Sequence, residues 1–107
     1  MKIIKEKTYF KVINNSEKPI LIFFSSKKCI HCKSVEKILN ELNNDQICIF
    51  KVIDDLYLIN KFEIRSFPTV LTFDKDKLPS KRIIGPKTKD FFKNKIREIL
   101  WEKKQLD

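Results

Sequence analysis

Ile20-Leu21-Ile22-Phe23-Phe24-Ser25-Ser26-Lys27-Lys28-Cys29-Ile30-His31-Cys32 decides the fold of this chain. Its first five residues are apolar without a break, which suits a strand covered on both faces, as in a parallel sheet. A short polar loop follows, and then a C-x-x-C pair opens a helix-patterned segment. Two sulfurs three residues apart can close a small ring, and a helix N-terminus favours thiolate over thiol. Strand, loop and cysteines in this order fit a dithiol/disulfide redox site. Half of a zinc site is the other use of the same four residues. Zinc takes four ligands, and Cys29, His31, Cys32 and Cys48 are the only cysteines and histidine in the chain. His31, wedged between two cysteines, is poorly placed to join them in one tetrahedron, so the redox reading is the stronger and no metal is expected.

Working outward, the segment after Cys32 carries Val35, Ile38, Leu39 and Leu42 at i, i+3, i+4 and i+7, the stripe of an amphipathic helix. Asn43-Asn44-Asp45 ends it. Ile47 to Ile53 is a second apolar, β-branched run, and Asp54-Asp55 can open a short helix bearing Leu58, Ile59 and Phe62. Beyond Phe67-Pro68 lie a strand from Thr69 to Phe73, a polar turn at Asp74-Lys75-Asp76-Lys77, and an edge-like strand from Lys81 to Ile84 stopped by Gly85-Pro86. A last helix from Lys87 places Phe92, Ile96, Ile99 and Leu100 at helical spacing. Upstream, Thr8 to Asn15 reads as a short amphipathic helix with Phe10 and Ile13 on one side, preceded by a candidate strand at Lys2–Lys5. Early alternation of strand and helix implies parallel strands, and the late hairpin adds antiparallel ones. Cys48, between Ile47 and Ile49, reads as an inert core residue. Trp101 and the Phe-rich segments read as packing rather than as a cofactor box.

The chain has 107 residues, enough for one hydrophobic core without staples. Lys and Arg outnumber Asp and Glu by 23 to 14, a net charge of +9. Such a charge raises nucleic acid or an anionic membrane as partners. Against both, the basic residues are spread along the whole chain, and the absence of Ala with a single Gly matches the bias of an AT-rich genome. A solvated surface without nucleic-acid or membrane partners is expected. The N-terminus lacks an apolar stretch of signal-peptide length, so the expected location is cytoplasmic, where a C-x-x-C is more often catalytic or metal-binding than structural.

With these elements in place the chain resembles the thioredoxin family. Lys18-Pro19 precedes the central strand, and that strand leads into Cys29-Ile30-His31-Cys32. Lys61-Phe62-Glu63-Ile64-Arg65-Ser66-Phe67-Pro68-Thr69 is similar to the family's segment around its active-site-facing proline. Gly85 precedes the last helix. The resemblance covers roughly residues 8 to 100 and implies an α/β thioredoxin fold. A central mixed sheet of four to five strands would be flanked by helices on both faces, over a single domain, 1–107.

The resemblance also implies a thiol-disulfide oxidoreductase that reduces protein disulfides, with no bound cofactor. Cys29 matches the attacking cysteine and Cys32 the resolving one. Ile30, Phe67 and Pro68, the last matching the family's cis-proline, would meet the substrate, and His31 would tune the potential. Protein disulfides and a thioredoxin-reductase-like electron donor are the implied partners, and the chain is expected to be a monomer. A disulfide oxidase or isomerase is the alternative, because His before the second cysteine is also their pattern. A thioredoxin-fold binding module with a vestigial dithiol is another. Three departures bear on the choice: Lys28 stands where the family usually has Trp, Ile30-His31 where it has Gly-Pro, and Phe23 where it has a buried acid. The usual Gly of the late hairpin turn is also missing.

Overall fold

The computed structural model describes the backbone of residues 1–106 and the side chains of residues 1–101. The run that opens the cysteine stretch forms strand β2, Ile20–Ser25, following the short strand β1, Lys2–Ile3, and helix α1, Glu6–Asn15. After β2 come α2 (Cys32–Leu42), β3 (Cys48–Ile53), α3 (Leu56–Lys61), β4 (Thr69–Phe73), β5 (Pro79–Ile84) and α4 (Lys89–Leu106). Among the described residues the strands make one sheet in the order β1-β3-β2-β4-β5. β1 and β2 run parallel to β3, while β4 runs antiparallel to β2 and β5 antiparallel to β4. This is the mixed α/β sheet expected from the order of segments.

The apolar run of β2 is explained by its place at the centre. Successive side chains of a strand point to opposite faces, so Ile20, Ile22 and Phe24 enter one core cluster and Leu21 and Phe23 the other. The first cluster also takes Tyr9 and Ile13 from α1 and Leu58 from α3. The second takes Cys32, Val35 and Leu39 from α2 and Phe92, Ile96 and Ile99 from α4. Helices thus cover both faces of the sheet, and Cys32 is drawn under that cover because it begins the buried stripe of α2.

Several local expectations are corrected. In α1 the buried pair is Tyr9 and Ile13, and Phe10 is 52% exposed. Phe10 instead packs edge-on to the Tyr9 ring, with Lys61 Nζ 5.0 Å from its own ring centre. Both pairs, 9/13 and 10/13, satisfy helical spacing, and Tyr9 wins because its ring meets Phe62 inside the core. Trp101 is 61% exposed rather than packed. β5 starts at Pro79, two residues earlier than the apolar pattern suggested, a position proline tolerates as the first residue of an edge strand. Cys48 is only half-buried: it opens β3, and the Ser16 hydroxyl lies 3.4 Å from its Sγ.

Candidate active site

The site is built where β2, β3 and β4 present their ends together. In the parallel pair β2/β3, Ser25 lies beside Ile53; in the antiparallel pair β2/β4, Phe24 lies beside Thr69. The loop leaving β2 therefore emerges next to the loop entering β4, which carries Phe67 and Pro68. The Phe67–Pro68 peptide is cis. Gly85, at the end of β5 with φ +87°, donates its N–H to the Pro68 carbonyl at 2.9 Å. A positive φ of this kind suits glycine. Thr69 Oγ1 adds a bond to the Ser66 carbonyl at 2.8 Å.

The cysteine loop is held by its own backbone. Cys29 N–H donates to the Ser26 carbonyl at 3.1 Å and Lys27 N–H to Asp54 Oδ2 at 3.1 Å. Asp54 lies just past β3, so it ties the loop to the neighbouring strand. Its carboxyl is held below the usual carboxylate range, first by that Lys27 N–H, then by the Ser26 hydroxyl and the charges of Lys27 and Lys28, against a smaller opposing effect of desolvation. His31 forms the N-cap of α2 without a side-chain cap bond, which leaves the first turn's N–H groups without a side-chain acceptor from the cap residue. Its carbonyl receives the Val35 N–H at 3.3 Å and the Ser34 hydroxyl at 2.9 Å.

Cys29 and Cys32 are joined by a disulfide, S–S 2.20 Å with Cα atoms 5.4 Å apart. Their environments differ. Cys32 is 3% exposed and belongs to the core cluster under α2 and α4, whereas Cys29 is half-buried at its edge. Phe67, also half-buried, packs against the same cluster, and Pro68 is buried. Ile30 projects into solvent at 87% exposure, and His31 is exposed beside it. Phe23 lies fully buried in the centre of β2. Cys48 sits at the opposite end of β2, where Ile20 is its neighbour. Among the described residues no group of three or more His, Cys, Asp or Glu side chains gathers as a metal site.

Two further residues belong to this region. Glu36 and Lys51 form an ion pair, Lys51 Nζ to Glu36 Oε1 at 2.6 Å, in a cleft of about 730 Å³ that both cysteines also line. The Cys32/Glu36 spacing of four residues signals a shared helix face, so Glu36 was readable from sequence; Lys51 and the Lys27 contact of Asp54 arise only from tertiary folding.

A family model for thioredoxin matches residues 1–98. The chain is 36% identical over 81 residues to a thioredoxin of Mycolicibacterium smegmatis, covering 69% of this chain and 71% of that protein. It is 35% identical over 72 residues to the chloroplastic thioredoxin Y2 of Arabidopsis thaliana, covering 63% of this chain but 43% of that protein, less than half its length. Among solved structures, a mutant thioredoxin from Halobacterium salinarum NRC-1 matches with a TM-score of 0.82, over 92% of this chain and 89% of that one, at 18% identity, a likeness of fold. The family model runs through both cysteines and through every strand of the sheet that positions them, and the chain belongs to the thioredoxin family of thiol-disulfide oxidoreductases.

Proposed function

We propose that the chain reduces protein disulfides, with Cys29 as nucleophile and Cys32 as resolving thiol. The observation that carries this reading is the unequal burial of a bonded pair: Cys29 reaches the surface at the sheet's end, and Cys32 lies one turn inward. In the reduced protein, Cys29 thiolate attacks one sulfur of a substrate disulfide. A mixed disulfide forms and the other substrate sulfur leaves as thiolate. Cys32 then attacks Cys29 Sγ; the Cys29–substrate bond breaks, the second substrate thiolate leaves, and the internal disulfide seen here is formed. Two electrons have passed to the substrate. The second step is fast because the attacking thiol is held beside its target.

Ile30, Phe67 and Pro68 are the proposed substrate contacts. Ile30 offers an exposed apolar side chain next to Cys29, and the Phe67-Pro68 loop lies beside the cysteine loop. His31, exposed between the cysteines, is proposed to tune the potential. Each turnover leaves the protein oxidised, so a dithiol-supplying reductase of the thioredoxin-reductase kind must return two electrons. Reduction in this direction suits the cytoplasm, and a monomer leaves the site face open. No helix of the described residues is long and apolar enough to cross a membrane.

Catalysed reduction of insulin disulfides by dithiothreitol tests the reading. Acceleration by the wild type and its loss in Cys29→Ser is the expected result. Absence of acceleration with retained binding of target proteins would favour a binding module instead. A disulfide oxidase or isomerase is supported by one observation, the basic residues Lys27 and Lys28 before Cys29 and His31 before Cys32. Faster oxidation of a reduced peptide than reduction of its disulfide would favour it.

A further inference from the structure

Cys32 must lose its proton before it can attack Cys29, and its surroundings restrict where that proton can go. Inward it meets the apolar cluster of Leu21, Phe23, Val35, Leu39 and Val70. Among the described residues no base is present on that side: Phe23 fills the centre of β2. What remains of the Cys32 surface lines the cleft, and the cleft holds two carboxylates. Glu41 stands nine residues along α2, about two and a half turns from Cys32, and is paired with Lys89 at 3.0 Å. Glu36 stands four residues along, on the same face of the helix as Cys32. Its carboxylate is fixed by Lys51 Nζ at 2.6 Å, and the pair is partly shielded, with 16% of the Lys51 side chain and 35% of the Glu36 side chain exposed. Lys51 lies in β3 directly beside Phe23. Lys27 from the loop and Lys33 and Lys37 from α2 are the other charged groups facing this cleft.

We propose that Glu36, held by Lys51, takes the proton from Cys32 during resolution of the mixed disulfide. The inference rests on the reductase reading above and names the residue that makes its second step work. Cys32–SH passes its proton through cleft solvent to the Glu36 carboxylate. The sulfur electron pair attacks Cys29 Sγ, the bond from Cys29 to the substrate breaks, and the substrate sulfur departs as thiolate. The proton on Glu36 then passes to solvent or to that thiolate. Glu36 acts through solvent rather than on a sulfur, so it is a positioning residue for proton removal.

The test uses the reduced full chain and dithiobis(nitrobenzoate) in stopped flow. With Cys48→Ser as the common background, so that this free thiol releases none, the first nitrothiobenzoate released reports attack by Cys29, and the second reports attack by Cys32. The aromatic leaving group departs as thiolate without needing a proton, so the second phase isolates ionisation of Cys32. In Glu36→Gln the second phase is expected to slow at least about 10-fold near neutral pH, in line with general-base effects. The first phase should stay within about twofold of wild type. The deficit should shrink as pH rises and hydroxide removes the proton unaided, and Glu36→Asp should restore most of the rate. Equal second-phase rates for wild type and Glu36→Gln across the pH range would overturn the proposal, as would equal slowing of both phases. If wild type shows no first phase, the reductase reading itself fails, a result distinct from a failure of Glu36 alone.

Discussion

Lys27 N–H donates to Asp54 Oδ2 at 3.1 Å, and this bond ties the loop that presents Cys29 to the end of the strand beside it. Asp54 returns a bond of its own, donating its N–H to the Ser25 carbonyl at 3.3 Å. The loop and the chain after β3 therefore brace each other. Because the folded protein holds the Asp54 carboxyl below its usual value, chiefly through the Lys27 N–H, the sign of the linkage is fixed. The stabilisation is fully present above the unfolded carboxylate value, about 4, and is lost as pH falls through the lower folded value. Asp54→Asn keeps an acceptor oxygen and discards the charge. Urea midpoints of wild type and Asp54→Asn should differ near neutral pH and converge below about pH 4. A gap that stays constant with pH would refute this role for the charge.

The two cysteines should part company in reactivity. The half-exposed Cys29 lies near Lys27 and Lys28 and at the start of α2, all of which favour thiolate. Cys32 is buried, and Cys48 sits at the far end of β2 beside Ser16. Limiting iodoacetamide added to the reduced protein near neutral pH should modify Cys29 first, as read by peptide mass mapping. In the same vein, Cys32→Ser should accumulate the mixed disulfide with a substrate, while Cys29→Ser should form none. Preferential labelling of Cys32 or Cys48 would reverse the assignment.

One carboxylate holds two helix starts. Asp55 Oδ1 accepts the Leu58 N–H at 3.0 Å as N-cap of α3, and Oδ2 accepts the Glu6 N–H at 3.0 Å in the first turn of α1. Asp55→Ala removes both acceptors and should cost about 1–2 kcal/mol of unfolding free energy, read by urea denaturation. Asp55→Asn, which keeps oxygen at the cap but offers only one, should cost less. Equal losses for the two variants would mean that the bond to Leu58 contributes nothing.

What the sequence made legible follows from how each feature is encoded. Burial of β2 on both faces leaves a run of five apolar residues, which no surface strand would tolerate, so the sheet's centre could be read directly. The stripes of α2 and α4 were readable because helical spacing survives in one dimension. Facing was harder for α1, where Tyr9 and Phe10 both fit the spacing to Ile13 and only contact with Phe62 from a distant segment decides between them. Trp101 shows the limit of reading large aromatics as packed, since apolar side chains often remain at the surface. Around the site, the C-x-x-C pair and Phe67-Pro68 were legible as local strings. The Lys51–Glu36 ion pair and the Lys27–Asp54 bond join separate elements brought together by sheet register, and neither leaves a local signature.

His31 and its lysine neighbours set the expected redox poise. His31 is exposed between the cysteines and caps α2 without using its imidazole on the helix. Lys27, Lys28, a ring N–H of His31 and the first-turn N–H groups would all stabilise a Cys29 thiolate, and hence the reduced form of the couple. Each tenfold gain in thiolate stability is worth ~1.4 kcal/mol, roughly 30 mV for two electrons. A gain of about ten- to a hundred-fold would raise the potential from the thioredoxin value of about −270 mV to about −240 to −210 mV, within the glutathione range. The protein would then be a weakly driven reductase in a reducing compartment. Equilibration with glutathione buffers, read by thiol alkylation, measures the potential, and His31→Pro should shift it toward more reducing values. A wild-type potential at or below about −270 mV, or an unchanged one in the His31→Pro variant, would remove His31 from the tuning of the site.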